Sequence, residues 1–198
     1  MISYGRQSIN KKDIESVIKV LKSDYLTQGP NVEKFERELV EFTSSKYAVA
    51  VNSGTSALHI ACLAIGLKKN DYLWTSAISF VSSANCGLFC GAKIELIDIE
   101  KDSANIDLDL LEQKLTEAKK NKKLPKVIIP VHMSGQSVNM IKLKKLSIKY
   151  KFKIIEDASH ALGSIYKKKP VGCGKYSDIC VFSFHPVKSI TTGEGGAA

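Results

Sequence analysis

Arginine is almost absent from this sequence: Arg6 and Arg37 stand alone among 29 basic residues in a chain of net charge +9. Bidentate recognition of bases and phosphates favours the planar guanidinium, so a charge carried by lysine does not mark a nucleic-acid partner. The densest basic run, KKNKKLPK at 119–126, reads as the solvated end of a helix. A DNA-binding regulator would also need a reading helix that carries arginines, and none is recognisable. Long apolar runs are missing as well: no stretch reaches the roughly 18 residues of a membrane span, and MISYGRQSINKKD lacks the apolar core of a signal peptide. The expected location is therefore the cytoplasm, without a membrane partner. Cysteine pairing is missing too. Cys62, Cys86, Cys90, Cys173 and Cys180 make an odd set without a CxxC, which predicts buried thiols in a reducing compartment. His59, His132, His160 and His185 lie far apart, and none is paired with a cysteine at ligand spacing, so no metal site is expected.

What is present is enough for one globular unit: 198 residues, 44% of them hydrophobic. Residues 10–23 place Ile14, Val17, Ile18 and Leu21 on one stripe of a helix, with Asn10 as its cap. PNVEKFERELVEF opens a second helix with proline in its first turn, where the missing N–H costs nothing. Six short apolar runs then read as strands: 46–52, 71–76, 93–99, 126–132, 152–157 and 178–184. Helical patterns lie between most of them, and IYKKKPVG reads as a small hairpin before the last. Strands and helices in alternation predict an α/β fold, a largely parallel sheet covered on both faces. Ligands of such sheets collect at the carboxyl ends of the strands.

Three motifs fall at those ends. In NSGTSAL, Gly54 permits close approach, and Thr55 and Ser56 begin a helix whose free N–H groups favour an anion such as phosphate. An ordinary strand-to-helix turn has the same composition. In KIIEDASHALG, Asp157 ends an apolar strand with His160 three residues on. A desolvated carboxylate needs a partner, and either a following helix or a protonated ring nitrogen would serve. In SFHPVK, Lys188 follows a strand within a loop of hydroxyl residues. A surface lysine fits there, and so does a partly desolvated amine that attacks an aldehyde. Together, a phosphate cup, a strand-end acid and a lysine are the three things pyridoxal phosphate needs.

At these motifs the chain resembles the sugar aminotransferases of the DegT/DnrJ/EryC1/StrS family, pyridoxal-phosphate enzymes of the type I aminotransferase fold. The resemblance runs from Tyr4 to the last residue and is carried by FSFHPVKSITTGEGGA, EDASHALGSIY and NSGTSAL. It implies a PLP-binding large domain over 31–198, preceded at 1–30 by a helix and substrate-contact segment. It also implies that Lys188 forms the Schiff base and shuttles protons, and that Asp157 pairs with the pyridine nitrogen. Gly54, Thr55 and Ser183 would hold the phosphate, His160 would lie near the ring hydroxyl, and Phe80 would lie against a ring face. Tyr4, Asp24, Tyr25, Leu26 and Thr27, with Gly54 and Ser183, match positions that touch the sugar nucleotide. Some members carry histidine in place of the lysine and dehydrate instead; the lysine here implies transamination.

The implied reaction moves an amino group from glutamate to C4 of a UDP-4-keto-6-deoxy-N-acetylhexosamine, in nucleotide-sugar biosynthesis of the pseudaminic acid type, within a homodimer. Family members run to about twice this length, with one further sheet strand beginning at the GGA motif and then a smaller carboxyl-terminal domain, so the expectation is the front half of a longer enzyme. The alternative is a catalytically inactive fragment or subunit that binds pyridoxal phosphate.

Overall fold

The computed structural model describes residues 5–198. Helix α1 (Lys11–Leu21) begins at a reciprocal cap: the Asn10 side chain accepts from the Lys12 and Asp13 amides, and Asp13 accepts from the Asn10 amide at 2.8 Å. Its apolar stripe stays uncovered, with Ile14, Val17, Ile18 and Leu21 all exposed. Helix α2 (Pro30–Thr43) starts on Pro30 and turns Leu39 and Thr43 inward.

The chain then builds β1 (Ala50–Val51), α3 (Gly54–Ala64), β2 (Tyr72–Ser76), α4 (Ser82–Phe89), β3 (Lys93–Ile97), α5 (Leu108–Lys120) and β4 (Val127–Ile129). It continues with α6 (Met140–Tyr150), β5 (Lys153–Asp157), the hairpin β6 (Ile165–Tyr166) and β7 (Lys169–Pro170), β8 (Ile179–Ser183) and β9 (Gly196–Ala197). The hairpin turns through Lys167 and Lys168, both at positive φ, the two-residue geometry whose twist matches that of its strands.

The main sheet has the order β1-β9-β8-β5-β4-β2-β3. β3, β2, β4, β5 and β8 run parallel, and β9 is antiparallel to both of its neighbours, β8 and β1. The expected mostly parallel sheet flanked by helices is therefore present. Two of its strands are shorter than the sequence pattern predicts: the 46–52 run pairs over Ala50–Val51, and the 126–132 run over Val127–Ile129.

Alternation along each strand sends successive side chains to opposite faces. Leu73, Val127, Ile129, Ile155 and Val181 pack against Leu58, Ala61, Cys62 and Cys86 of α3 and α4. Trp74, Ile128 and Ile154 face the other way, onto Leu111, Leu115, Leu143 and Leu146 of α5 and α6. Cys62 and Cys86 are fully buried, whereas Cys90, Cys173 and Cys180 are half-exposed, a correction to the expectation of uniformly buried thiols. Cys90 caps the carboxyl end of α4, Cys180 lies on β8, and Cys173 lies in the loop before it. A hydrogen bond with Cys62 and burial push the Cys86 thiol up, so it packs as an inert group.

Candidate active site

Asp157 is placed by β5, whose terminal peptide is locked on the β4 side: the Asp157 amide donates to the Pro130 carbonyl at 2.9 Å, and the His132 amide donates to the Asp157 carbonyl at 3.0 Å. On the opposite face of β5, His132 Nε2 lies 2.7 Å from Glu156 Oε2 in the fully buried interior. The Val138 amide donates to His132 Nδ1 at 3.2 Å, so the ring proton sits on Nε2 and is donated to Glu156. The Ser177 hydroxyl donates to the other oxygen of Glu156. This satisfied buried network fixes the strand end that carries Asp157.

The Asp157 side chain caps no helix, because a turn rather than a helix follows β5. Its partners are serines. Oδ1 accepts from the Ser159 amide at 3.2 Å and the Ser159 hydroxyl at 2.7 Å, and Oδ2 accepts from the Ser83 hydroxyl at 2.6 Å.

The first turn of α3 forms the second part of the site. Ser53 caps it by accepting from the Ser56 amide at 3.1 Å. Among the described residues the amides of Gly54 and Thr55 have no protein partner, which leaves two donors at the positive end of the helix. Ser183, at the end of β8, packs against this turn so closely that a Cβ on Gly54 would lie 3.0 Å from Ser183 Cβ. The Thr55 hydroxyl is 2.6 Å from that of Ser82.

Lys188 lies in the loop after β8, its amide donating to the His185 carbonyl at 2.9 Å. Burial lowers its amine below the ordinary lysine range, while the Asp157 charge acts in the opposite direction. His160 is lowered as well, by burial and by the Lys188 charge, with Asp157 again opposing. The Ser134 amide donates to His160 Nδ1 at 3.4 Å, so the neutral ring carries its proton on Nε2.

These parts line one cavity of about 600 Å³, within the range of small-ligand sites. Gly54, Thr55, Phe80, Asp157, His160, Ser183 and Lys188, the cofactor-contact residues expected from the sequence, all meet there. Asp24, Tyr25, Leu26 and Thr27 do not: they are exposed between α1 and α2, and none lines the cavity. Tyr4 lies outside the described residues. The sequence reading missed Ser79, Ser82 and Ser159, which also line the cavity. It missed Ser83 behind them. The signal was available in ISFVSSAN, a run of hydroxyls just past the carboxyl end of β2.

Fold and site together define an α/β protein with, among the described residues, two unpartnered amides at a helix terminus, a buried carboxylate and an amine of lowered basicity in one cleft at the strand ends. The chain belongs to the DegT/DnrJ/EryC1/StrS aminotransferase family, whose model matches residues 7–198. It is 46% identical over 197 residues to the UDP-4-amino-4,6-dideoxy-N-acetyl-beta-L-altrosamine transaminase of Campylobacter jejuni, which covers 100% of this chain and 50% of that protein. Its structure superposes on Helicobacter pylori PseC, an aminotransferase involved in the biosynthesis of pseudoaminic acid, with a TM-score of 0.86 at 37% identity, over 98% of this chain and 51% of that one. A putative sugar aminotransferase of Streptococcus pneumoniae in its PLP form gives a TM-score of 0.90 at 33% identity, over 99% and 52%. The chain thus spans about half the length of the curated relatives it matches.

Proposed function

We propose that this protein binds pyridoxal 5'-phosphate in the cleft and serves the transfer of an amino group from glutamate to C4 of a UDP-4-keto-6-deoxy-N-acetylhexosamine. The observation that carries the reading is the convergence of the α3 terminus, Asp157 and Lys188 on one cavity.

The residues fit the cofactor group by group. The Gly54 and Thr55 amides and the Thr55 and Ser183 hydroxyls suit a phosphate, and the close packing of Gly54 on Ser183 makes the cup that a side chain would fill. Asp157 suits a cationic ring nitrogen, Lys188 an aldehyde, and Phe80, which is 71% exposed, an aromatic face. When bound, the cofactor supplies an electron sink and an aldehyde that carries the amino group between substrates.

The chain's own residues do the rest. Lys188, its basicity lowered by burial, would offer its amine for covalent attachment and afterwards accept and return protons. Asp157 would hold positive charge at the ring nitrogen. The His160 Nε2–H would suit the ring oxygen, and burial and the Lys188 charge both disfavour a second proton on the imidazole.

The same reading includes a segment 1–30 that contacts the sugar nucleotide, a PLP-binding unit over 31–198, and a homodimer in the cytoplasm. The exposed Leu63, Leu88 and Phe89 on α3 and α4 favour association, and five unpaired cysteines favour a reducing compartment. A second reading, a subunit that binds the cofactor without turnover, is favoured by the exposure of 24–27 away from the cavity. Two measurements on the purified chain separate the readings. Incubation with pyridoxal phosphate gives visible absorbance under both, and loss of the 4-keto sugar with glutamate occurs under the first alone. A protein that stays colourless with excess cofactor overturns both.

A further inference from the structure

Asp157 is connected to the lip of the cavity by a chain of hydroxyls. Each carboxylate oxygen offers two acceptor sites. Oδ1 has both filled, by the amide and the hydroxyl of Ser159, while Oδ2 has one filled, by Ser83. Among the described residues one acceptor site on the carboxylate therefore remains, on the oxygen that Ser83 already touches. Ser83 is fully buried, and its hydroxyl lies 2.6 Å from that of Ser79, which in turn lies 3.0 Å from the Phe80 carbonyl.

The direction of this chain is set by proton counting. With Asp157 ionised, Ser83 spends its single proton on Oδ2, so Ser79 must donate to Ser83. With a proton on Oδ2, the two side-chain bonds reverse and a third is made: Asp157 donates to Ser83, Ser83 to Ser79, and Ser79 to the Phe80 carbonyl. Both arrangements are complete, and they differ in the position of one proton at Asp157.

We propose that Ser83, oriented by Ser79, is a positioning residue for Asp157: it occupies one acceptor site of Oδ2 and leaves a single acceptor for a protonated ring nitrogen. A hydrogen bond donated to a carboxylate stabilises its charged form. Loss of the Ser83 hydroxyl moves the shared proton from ring nitrogen toward Oδ2. The Ser79 hydroxyl acts in the same sense through Ser83, which becomes the better donor by accepting from it.

The inference rests on the cofactor reading above and is tested by nitrogen-15 resonance of ring-labelled pyridoxal phosphate bound to the protein. In the native protein and in Ser83→Thr, which keeps the hydroxyl, the ring nitrogen resonates at the upfield, protonated position. In Ser83→Ala it moves downfield toward neutral pyridine, and in Ser79→Ala it moves the same way by less. A role confined to packing would leave the resonance in place, so coincident native and Ser83→Ala signals overturn the inference. If Ser83→Ala does not fold, Ser79→Ala at the half-buried end of the chain decides by the same criterion. A native protein that retains no labelled cofactor overturns the cofactor reading, and this inference with it.

Discussion

Ser183 at the end of β8 and Gly54 at the start of α3 pack against each other, so that a Cβ on Gly54 would lie 3.0 Å from Ser183 Cβ and 3.3 Å from its hydroxyl oxygen. The contact brings a side-chain donor beside two free helix amides. A methyl group at residue 54 would press on Ser183 and displace its hydroxyl from that position. Gly54→Ala is therefore expected to weaken pyridoxal phosphate binding at least about tenfold, or ~1.4 kcal/mol. Titration of the visible absorbance checks this.

Gly196 supports the same turn from beneath. β9 passes so near α3 that a Cβ on Gly196 would enter the Ser53–Gly54 peptide, and backbone cannot give way there. Gly196→Ala should lower stability by about 1–3 kcal/mol through overpacking. Urea unfolding followed by circular dichroism measures it.

The buried pair His132–Glu156 predicts a larger loss. Removing the imidazole takes away the proton donated to Glu156 and opens a cavity behind β5. His132→Ala should cost about 3 kcal/mol or more, from an unsatisfied buried acceptor and the lost packing. A urea midpoint unchanged from the native protein would contradict the network's structural role.

The sign of the Lys188 shift sets a pH dependence. Burial lowers the amine, so the free base is reached at a pH below the ordinary lysine range, and attachment of pyridoxal phosphate should speed up with rising pH over that lower window. Between the folded and ordinary values the unfolded chain binds the extra proton, so this group's contribution to stability also increases as pH rises there. The Asp157 charge acts against the shift. Asp157→Asn should accordingly move the attachment profile to still lower pH, as stopped-flow absorbance will record.

Much of this was legible in the sequence for identifiable reasons. Buried parallel strands read as apolar runs, and KIIED and ICVFS, flanked by turn residues, gave β5 and β8 and hence the positions of Asp157 and Lys188. β9 was legible only through the family resemblance, which implies a further strand at the GGA motif; its two small residues, Gly196 and Ala197, carry no alternation of their own and are held by neighbours distant in sequence. The serine chain escaped for a different reason: at the start of α4 a serine reads as a capping residue, and its bond to an acid 74 positions away is a property of the sheet order. The stripe of α1 reads as a core-facing pattern, yet no residue of that helix is buried.

The account's central claim is a covalent one, that the amine of Lys188 takes up the cofactor aldehyde. Reduction of the pyridoxal-phosphate-treated protein with borohydride, followed by peptide mass spectrometry, tests it directly. The account predicts a phosphopyridoxyl mass on the peptide containing Lys188, at about one equivalent per chain, and none in Lys188→Ala. A modification spread over the other lysines, or retained in Lys188→Ala, would contradict it.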